Sequence, residues 1–492
     1  MEDNRGTIKQ ISIKSNILFL SFVKIVTYFI PLITAPYLSR VLGPEGIGEY
    51  TYVYSIVSYF SLAVNFGFAG YGVREIAKYR KEKDTYSQTF WSIIFSRLVL
   101  LITSLALYML LLLIIKNKTD IQVSIYLILS LTIFANFFDI TYLYRGLENV
   151  KIISLANFGV RLLGLLAIFS FVKSREDIVF YTVIQASQFF LVAFVPWLFI
   201  KNSLKKPDWK KILLGTAFKE GFLYFLPSLA VTLCSLVDKT MLGSMSTKTE
   251  VGFYEQCDKI IIVVIGVLHS FAEVFTARVS LLIHENKEEE AAQKIKKMFE
   301  LYSLVGMPAS AGLFAIGSIF ITTFFGADFS PAIVVFYLLV PLILIKSMSN
   351  ALGNVYYGPR GLIWMTSIFY TIGAVINIST NAFLIPRYGA SGAAVASMVS
   401  ELIITIIFMV YARHKVDFKS IFYITLIPLF CSTLMALGII AFNIVFSNAF
   451  SPIFLVVTDV IFGAILYCIL LVVCRESLVI DELGKVINRF KE

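Results

Sequence analysis

Arg40-Val-Leu-Gly-Pro-Glu-Gly-Ile-Gly-Glu-Tyr50 lies between two long apolar runs. Gly43-Pro44 is a turn signal. Pro44 suits the first position of a new helix, where its missing N–H has no partner to lose. Glu45 then falls in the first turn, at the end of the helix dipole that favours an anion. Gly46 and Gly48 let the new helix approach a neighbour closely. About two hundred residues later the pattern returns in degraded form: Arg40-Val-Leu-Gly and Ile47-Gly-Glu-Tyr are echoed by Thr240-Met-Leu-Gly and Val251-Gly-Phe-Tyr. Two matches in the same order, each between apolar runs of membrane length, predict a duplicated unit.

Outward from that stretch the chain is apolar throughout. Of its 492 residues, 58% are hydrophobic and 15% charged, with a mean hydropathy of +0.82. Soluble domains carry about 25% charged residues, so the composition describes an all-α polytopic membrane protein. The net charge of +10 does not indicate nucleic acid, because basic residues of membrane proteins collect in cytoplasmic loops. Cys234, Cys257, Cys431, Cys468 and Cys474 lie in or at the edge of apolar runs, with no CxxC pair. His269, His284 and His414 are far apart in sequence. No disulfide and no metal site is expected from these spacings. The polar, mildly basic stretch from Met1 to Asn16 lacks the short apolar core and cleavage site of a signal peptide.

A spanning helix needs about 20 mostly apolar residues. About 14 such spans are expected, at roughly 15–38, 47–72, 88–115, 121–144, 151–173, 177–200, 217–243, 250–280, 299–325, 330–356, 361–385, 390–412, 420–446 and 451–474. The last two are separated at Ser447-Asn-Ala-Phe-Ser-Pro452, the one turn-like cluster in a charge-free stretch. With the N-terminus inside, 29 of the 42 Lys and Arg fall in inside segments, 7 in outside segments and 6 within spans. That bias puts both termini in the cytoplasm. The expected division is a cytoplasmic N-terminus (1–14), a first six-helix lobe (15–200), a cytoplasmic linker (201–216), a second six-helix lobe (217–412), two extra helices (420–474) and a cytoplasmic amphipathic tail (475–492). Six crossings per repeat is even, so the repeats relate by an axis along the membrane normal, with a central cavity between them.

A charge near the bilayer centre costs about 2.5–3.5 kcal/mol on insertion scales. The basic residues within spans are Lys24, Arg97, Arg161, Lys239, Lys259 and Lys346; the acids include Asp139, Asp238, Glu255, Asp258, Glu273, Glu401 and Asp459. Arg97, Arg161 and Asp139 lie near cytoplasmic ends, from which a side chain can snorkel. Asp238 and Lys239 point to different helix faces, whereas Glu255 and Lys259, spaced i,i+4, can neutralise one another. With Asp258 they form the densest charge in the membrane. Lys24 stands alone in the first span and wants an anion. Lys24 and Lys259 therefore lead the candidates for a substrate cavity, with Glu255, Asp258, Arg161, Arg97 and Lys346 as further lining residues. Pro31, Pro36, Pro227, Pro308, Pro341 and Pro428 lie within or at the ends of spans. The small residues of Gly389–Ser397 are a helix-packing signal.

Four stretches carry a resemblance: Arg40–Tyr50; Tyr71-Gly-Val-Arg-Glu-Ile-Ala; Val237-Asp-Lys-Thr-Met-Leu-Gly with Glu250-Val-Gly-Phe-Tyr; and Tyr388-Gly-Ala-Ser-Gly-Ala-Ala-Val-Ala-Ser. Together they make the chain resemble the oligosaccharide flippases of the multidrug/oligosaccharidyl-lipid/polysaccharide exporter superfamily. The resemblance implies two six-helix lobes forming a V, plus two further helices. It implies a cargo, an oligosaccharide repeat unit on undecaprenyl pyrophosphate, moved by alternating access from the inner to the outer leaflet of a bacterial cytoplasmic membrane for O-antigen, capsule or another exopolysaccharide. It implies membrane lipid, and a polymerase and glycosyltransferases of the same pathway, as partners, and no nucleic acid. No catalytic residue, metal or cofactor is implied beyond a coupling Na+ or H+. Related lipid II flippases carry basic cavity residues on their first and eighth helices, which Lys24 and Lys259 match by helix. Relatives that bind sodium use an acid on the seventh helix and polar residues on the eleventh; Asp238, Asn377 and Asn381 stand in those places.

A cation-coupled multidrug antiporter shares these lobes but expects an acidic cavity. A membrane glycosyltransferase or polymerase acting on the same lipid-linked sugar needs a sizeable external loop, and the external connections here are short. The chain is therefore not expected to be an enzyme. The orientation places Arg40–Tyr50 on the external face, where Arg40, Glu45 and Glu49 are candidates for an outer gate. The simpler expectation is a rigid corner between two helices.

Overall fold

The computed structural model describes residues 13–115, 120–200, 203–446, 449–474 and 476, with side chains from Ile30 onward except at 120–121 and a few positions in 227–234. The expectations for Lys24, for the first twelve residues and for the amphipathic tail after 476 fall outside the described side chains or residues. Among the described residues there is no strand, and eleven helical stretches are long and apolar enough to cross a membrane. Large apolar side chains such as Ile102, Leu113, Phe383 and Ile444 are exposed on their outer faces. Helices apolar all round belong in lipid.

The helices are α1 Ile13–Asn65, α2 Phe68–Lys78, α3 Lys83–Ile115, α4 Asp120–Phe138, α5 Thr141–Gly146, α6 Val150–Phe171, α7 Ile178–Phe194, α8 Leu214–Met245, α9 Lys248–His284, α10 Glu288–Phe325, α11 Ala332–Leu339, α12 Leu342–Ala351, α13 Ile363–Ala412, α14 Phe418–Phe446 and α15 Pro452–Val473. They form two compact units, Met1–Leu229 and Ala230–Glu492.

In the first unit, α1 runs for 53 residues, which would be about 80 Å if straight. That is more than twice the membrane core. It breaks at Gly43, with φ 69° and ψ 176°. The helical conformation is disfavoured before a proline, and only glycine takes this alternative without strain. Phe66 and Gly67, also at positive φ, turn the chain from α1 into α2. A Cβ on Gly67 would lie 2.4 Å from the Gly221 carbonyl oxygen, so the first turns of α8 press directly on this turn. Phe66 stacks on Phe225 with ring centroids 4.8 Å apart, and Ala217 is buried in the same aromatic core as Phe68, Phe90 and Tyr142.

This packing moves the expected boundary. The division falls at Leu229/Ala230, inside α8, rather than in 201–216. The described part of that segment is a strap bound to α3. Tyr86 OH donates to the Ser203 carbonyl at 2.8 Å, Trp91 Nε1 to the Lys205 carbonyl at 2.9 Å, and the Leu213 N–H to Ser92 Oγ at 3.1 Å.

In the second unit, α13 spans 50 residues and breaks at Gly389, with φ 54° and ψ −131°. Its two arms fold back on each other: a Cβ on Gly373 would strike Ile404, and one on Gly392 would strike the Leu384 carbonyl. The small residues of 389–397 permit this approach. α8 and α9, where the motif echo lies, are separated by a conventional corner instead. The Thr247 side chain caps α9 by accepting the Glu250 N–H at 3.3 Å. α10, α14 and α15 pack together through Ile316, Cys431, Met435, Ile439, Tyr467 and Leu471.

Candidate functional site

The polar chemistry of the second unit converges on α8. Asp238 and Lys239 are adjacent, so their side chains leave the helix about 100° apart. Each reaches a different partner set.

Asp238 is 3% exposed. Its Oδ1 accepts from Asn377 Nδ2 at 3.0 Å and from Asn381 Nδ2 at 2.7 Å. Its Oδ2 accepts from Tyr254 OH at 2.8 Å and from Ser397 Oγ at short distance. These four donors come from three stretches of chain. The α13 break assembles them: Asn381 lies eight residues before Gly389 and Ser397 eight residues after it. Each is therefore about 12 Å down its arm, and both meet one carboxylate. Asn381 Nδ2 also reaches Asn377 Oδ1 at 3.1 Å, while Asn381 Oδ1 is buried without a partner. The three residues anticipated as an ion site, Asp238, Asn377 and Asn381, thus touch one another. Tyr254 and Ser397 were missed as members, although both stand in quoted motifs. Nothing local marks a tyrosine or a serine as a partner of a carboxylate on another helix.

Lys239 faces α9. Its Nζ lies 2.6 Å from Glu255 Oε2 and 3.2 Å from Asp258 Oδ2, and Lys259 Nζ lies 3.3 Å from Glu255 Oε1. The network holds two lysines and two carboxylates, so its formal charge is zero. Lys259 is thus not an isolated cavity cation. It is the most exposed member, at 30% for its side chain against 10–16% for the others. Lys239, unassigned from sequence, is the centre of the network. Its i,i+4 rows on α8 gave no hint, because its partners lie on the next helix.

A third set lies on α12. Ser349 Oγ donates to Glu401 Oε2 at 3.3 Å. The charge of Lys346 acts on both Glu401 and His269.

In the first unit Arg97 does not line open space. It is wholly buried, donating to the Asp139 carbonyl and, at 3.3 Å, to Asn65 Oδ1. Its guanidinium lies 5.1 Å from the Tyr142 ring centroid. It stitches α3 to the end of α1 and to the α4–α5 break, and the snorkelling expectation gives way to these internal acceptors. Arg161 donates to Asn157 Oδ1, one turn back on α6, at 3.0 Å. Arg40 is exposed and donates to the Pro36 carbonyl at 3.4 Å. Glu45 is exposed and Glu49 half-buried. A Cβ on Gly43 would meet the Arg175 guanidinium at 3.6 Å, so this corner is covered from within its own unit.

Comparison with known proteins places the chain. The model of the polysaccharide biosynthesis protein family matches residues 13–277. The chain belongs to this family. It is 24% identical over 408 residues to an Escherichia coli (strain K12) protein whose name assigns it to O-antigen transport, covering 82% of this chain and 98% of that one. A Shigella dysenteriae protein of the same name is 26% identical over 406 residues, with coverages of 81% and 99%. A Haloferax volcanii protein named as a flippase of low-salt glycan biosynthesis matches at 24% over 222 residues, 45% of this chain and 46% of that one. Among solved structures, the lipid II flippase MurJ in an inward closed conformation superposes with a TM-score of 0.76 at 14% identity, covering 94% of this chain and 100% of that one. An inward-facing multidrug transporter of the MATE family superposes at 0.62, with 14% identity and coverages of 81% and 97%. This polysaccharide biosynthesis protein therefore has the fold of polytopic membrane transporters.

Proposed function

We propose that the chain is a flippase that moves an undecaprenyl-pyrophosphate-linked oligosaccharide repeat unit from the inner to the outer leaflet of a bacterial cytoplasmic membrane, by alternating access and with both termini cytoplasmic. The observation that carries this reading is coverage. Two relatives named for O-antigen transport align over 98% and 99% of their own lengths.

The charges fit that cargo. A pyrophosphate entering a low-dielectric site needs cations. Lys259 supplies one by exchange. In the resting network it is held by Glu255, whose other oxygen is already bound to Lys239. An arriving pyrophosphate competes for Lys259, while Glu255 keeps its contact with Lys239, which it shares with Asp258. Lys24, whose side chain lies outside the described residues, is assigned as a second cation on the sequence pattern. The apolar groove of about 490 Å³ between α10, α14 and α15, floored by Ala309, Gly312, Gly463 and Ala464, suits a polyprenyl chain. Asp238 with Tyr254, Asn377, Asn381 and Ser397 forms an oxygen-rich set. Rotation of the two amides turns carbonyl oxygens toward the carboxylate, and the buried, unpartnered Asn381 Oδ1 fits a monovalent cation or proton used in coupling. Arg40, Glu45 and Glu49 remain the proposed outer gate.

The test is reconstitution into liposomes with a lipid-linked oligosaccharide and an outer-leaflet probe. Lys24→Ala and Lys259→Ala are each expected to slow translocation at least tenfold, and Asp238→Asn to abolish its dependence on a Na+ or pH gradient. Wild-type rates in both lysine variants would sink the cation assignment. Sugar transfer or hydrolysis by the purified protein would replace the flippase reading with an enzyme. Lys239→Ala separates the two lysines: it leaves Glu255 and Asp258 buried with less counter-charge, and is expected to lower stability by about 3–5 kcal/mol.

A further inference from the structure

A second polar cavity, of about 390 Å³, lies within the second unit between α9 and α12, lined by His269, Glu273, Thr276, Asn350 and Asn354 with Ala272. Its volume is in the range of small-molecule sites. The spacing puts the α9 residues on one helix face and Asn350 one turn beyond Lys346 on the facing helix. The main mechanism uses none of the five polar residues.

Two features mark the cavity as a site rather than a packing fault. His269 Nε2 is buried without a hydrogen-bond partner, a costly and uncommon condition in a native interior. The backbone at Leu352–Tyr357 is a π-helix, a rare conformation found frequently at functional sites. It carries Asn354, whose backbone carbonyl oxygen lies 3.5 Å from the donating Thr276 Oγ1. The Gly358 N–H bonds the Gly353 carbonyl at 3.0 Å, five residues back, in the widened turn.

The lining offers two amides, a hydroxyl, an imidazole and a carboxylate. Each amide presents donors and an acceptor together, the complement of neighbouring hydroxyls that both donate and accept. Glu273 is the one acidic side chain in the lining, which has no lysine or arginine, so the cavity disfavours an anion. The lining has no aromatic ring and a single carboxylate, so it is poorly suited to a lipophilic cation. We infer that this cavity is a carbohydrate subsite, taking a neutral sugar ring of the transported lipid; the inference rests on the flippase reading above.

The experiment measures binding of two lipids to the purified full chain in nanodiscs: undecaprenyl pyrophosphate, and the same lipid bearing one N-acetylglucosamine. The wild type is expected to prefer the glycosylated lipid roughly tenfold, the equivalent of about 1.4 kcal/mol. Asn350→Leu is expected to erase that preference and leave the affinity for the bare lipid unchanged. Thr276→Val, which keeps side-chain shape, repeats the measurement if the leucine variant does not insert. Equal binding of both lipids by the wild type would overturn the subsite and leave the flippase reading standing. A preference that survives in both variants would overturn its location. Failure of the wild type to bind either lipid would remove the flippase reading, and the subsite with it.

Discussion

The breaks at Gly43 and Gly389 use one backbone device for two different ends. Each splits a helix of 50 residues or more with a positive-φ glycine. At Gly43 the following proline imposes the break, and the space beside it is ordinary, with Arg175 at 3.6 Å. At Gly389 no proline follows. The corner is held from another helix: the Glu250 carboxylate accepts the Ala390 N–H at 2.7 Å and fills the space a Cβ would need. The first corner is local and ends where it stands. The second is tertiary, and its folded-back arms deliver Asn381 and Ser397 to Asp238.

The largest effect is expected from Gly389→Ala. The new Cβ would lie 2.7 Å from Glu250 Oε2 in a backbone region few residues other than glycine adopt. A loss of about 3 kcal/mol or more, with the Asp238 site disassembled, would appear as a large drop in the detergent melting temperature. Gly43→Ala meets the backbone strain without the clash, so about 1–3 kcal/mol is expected, and the Asp238 site is expected to stay intact. Equal losses in the two variants would erase the distinction between local and tertiary corners.

Glu250→Ala is expected to cost about 1–2 kcal/mol by leaving the Ala390 N–H unpaired, while Glu250→Gln, which still offers an oxygen, restores most of it. A double-mutant cycle sharpens the point: Glu250→Ala should couple to Gly389→Ala and be additive with Gly43→Ala.

The smallest effect belongs to a third corner, between α9 and α10, where Asn286 carries the positive φ. There Lys287 Nζ lies 2.8 Å from Glu285 Oε2. The hydrogen bond and charge of Lys287 hold the Glu285 carboxyl below its ordinary range. Its contribution is therefore present above the unfolded carboxylate value and lost as pH falls through the depressed folded value. Both groups are solvent-exposed, so the melting temperature of Glu285→Gln should differ from wild type only slightly at neutral pH, and the difference should vanish in acid.

Much of this architecture was legible beforehand. Apolar runs marked the spans, and Gly43-Pro44 marked its break, because both are properties of neighbouring residues. The i,i+4 pair of Glu255 and Lys259 was equally readable, since helix geometry fixes that spacing. Lys239 was not, because its carboxylates lie on the next helix and meet it only at one rotation of α8 against α9. Arg97 was misjudged for a related reason: its distance from the membrane surface suggested water, whereas its nearest acceptors are the Asp139 carbonyl and Asn65. Tyr254 and Ser397 stood in quoted motifs without a role.

By itself the sequence determined the membrane class and the first corner. Hydropathy and proline sterics act over a few residues and need no partner. Tertiary structure alone decided which buried charges are neutralised, where the two units divide inside α8, and how Gly389 brings two arms of one helix to a single carboxylate. Those outcomes depend on the rotation and close approach of helices distant in the chain, which the order of residues does not state.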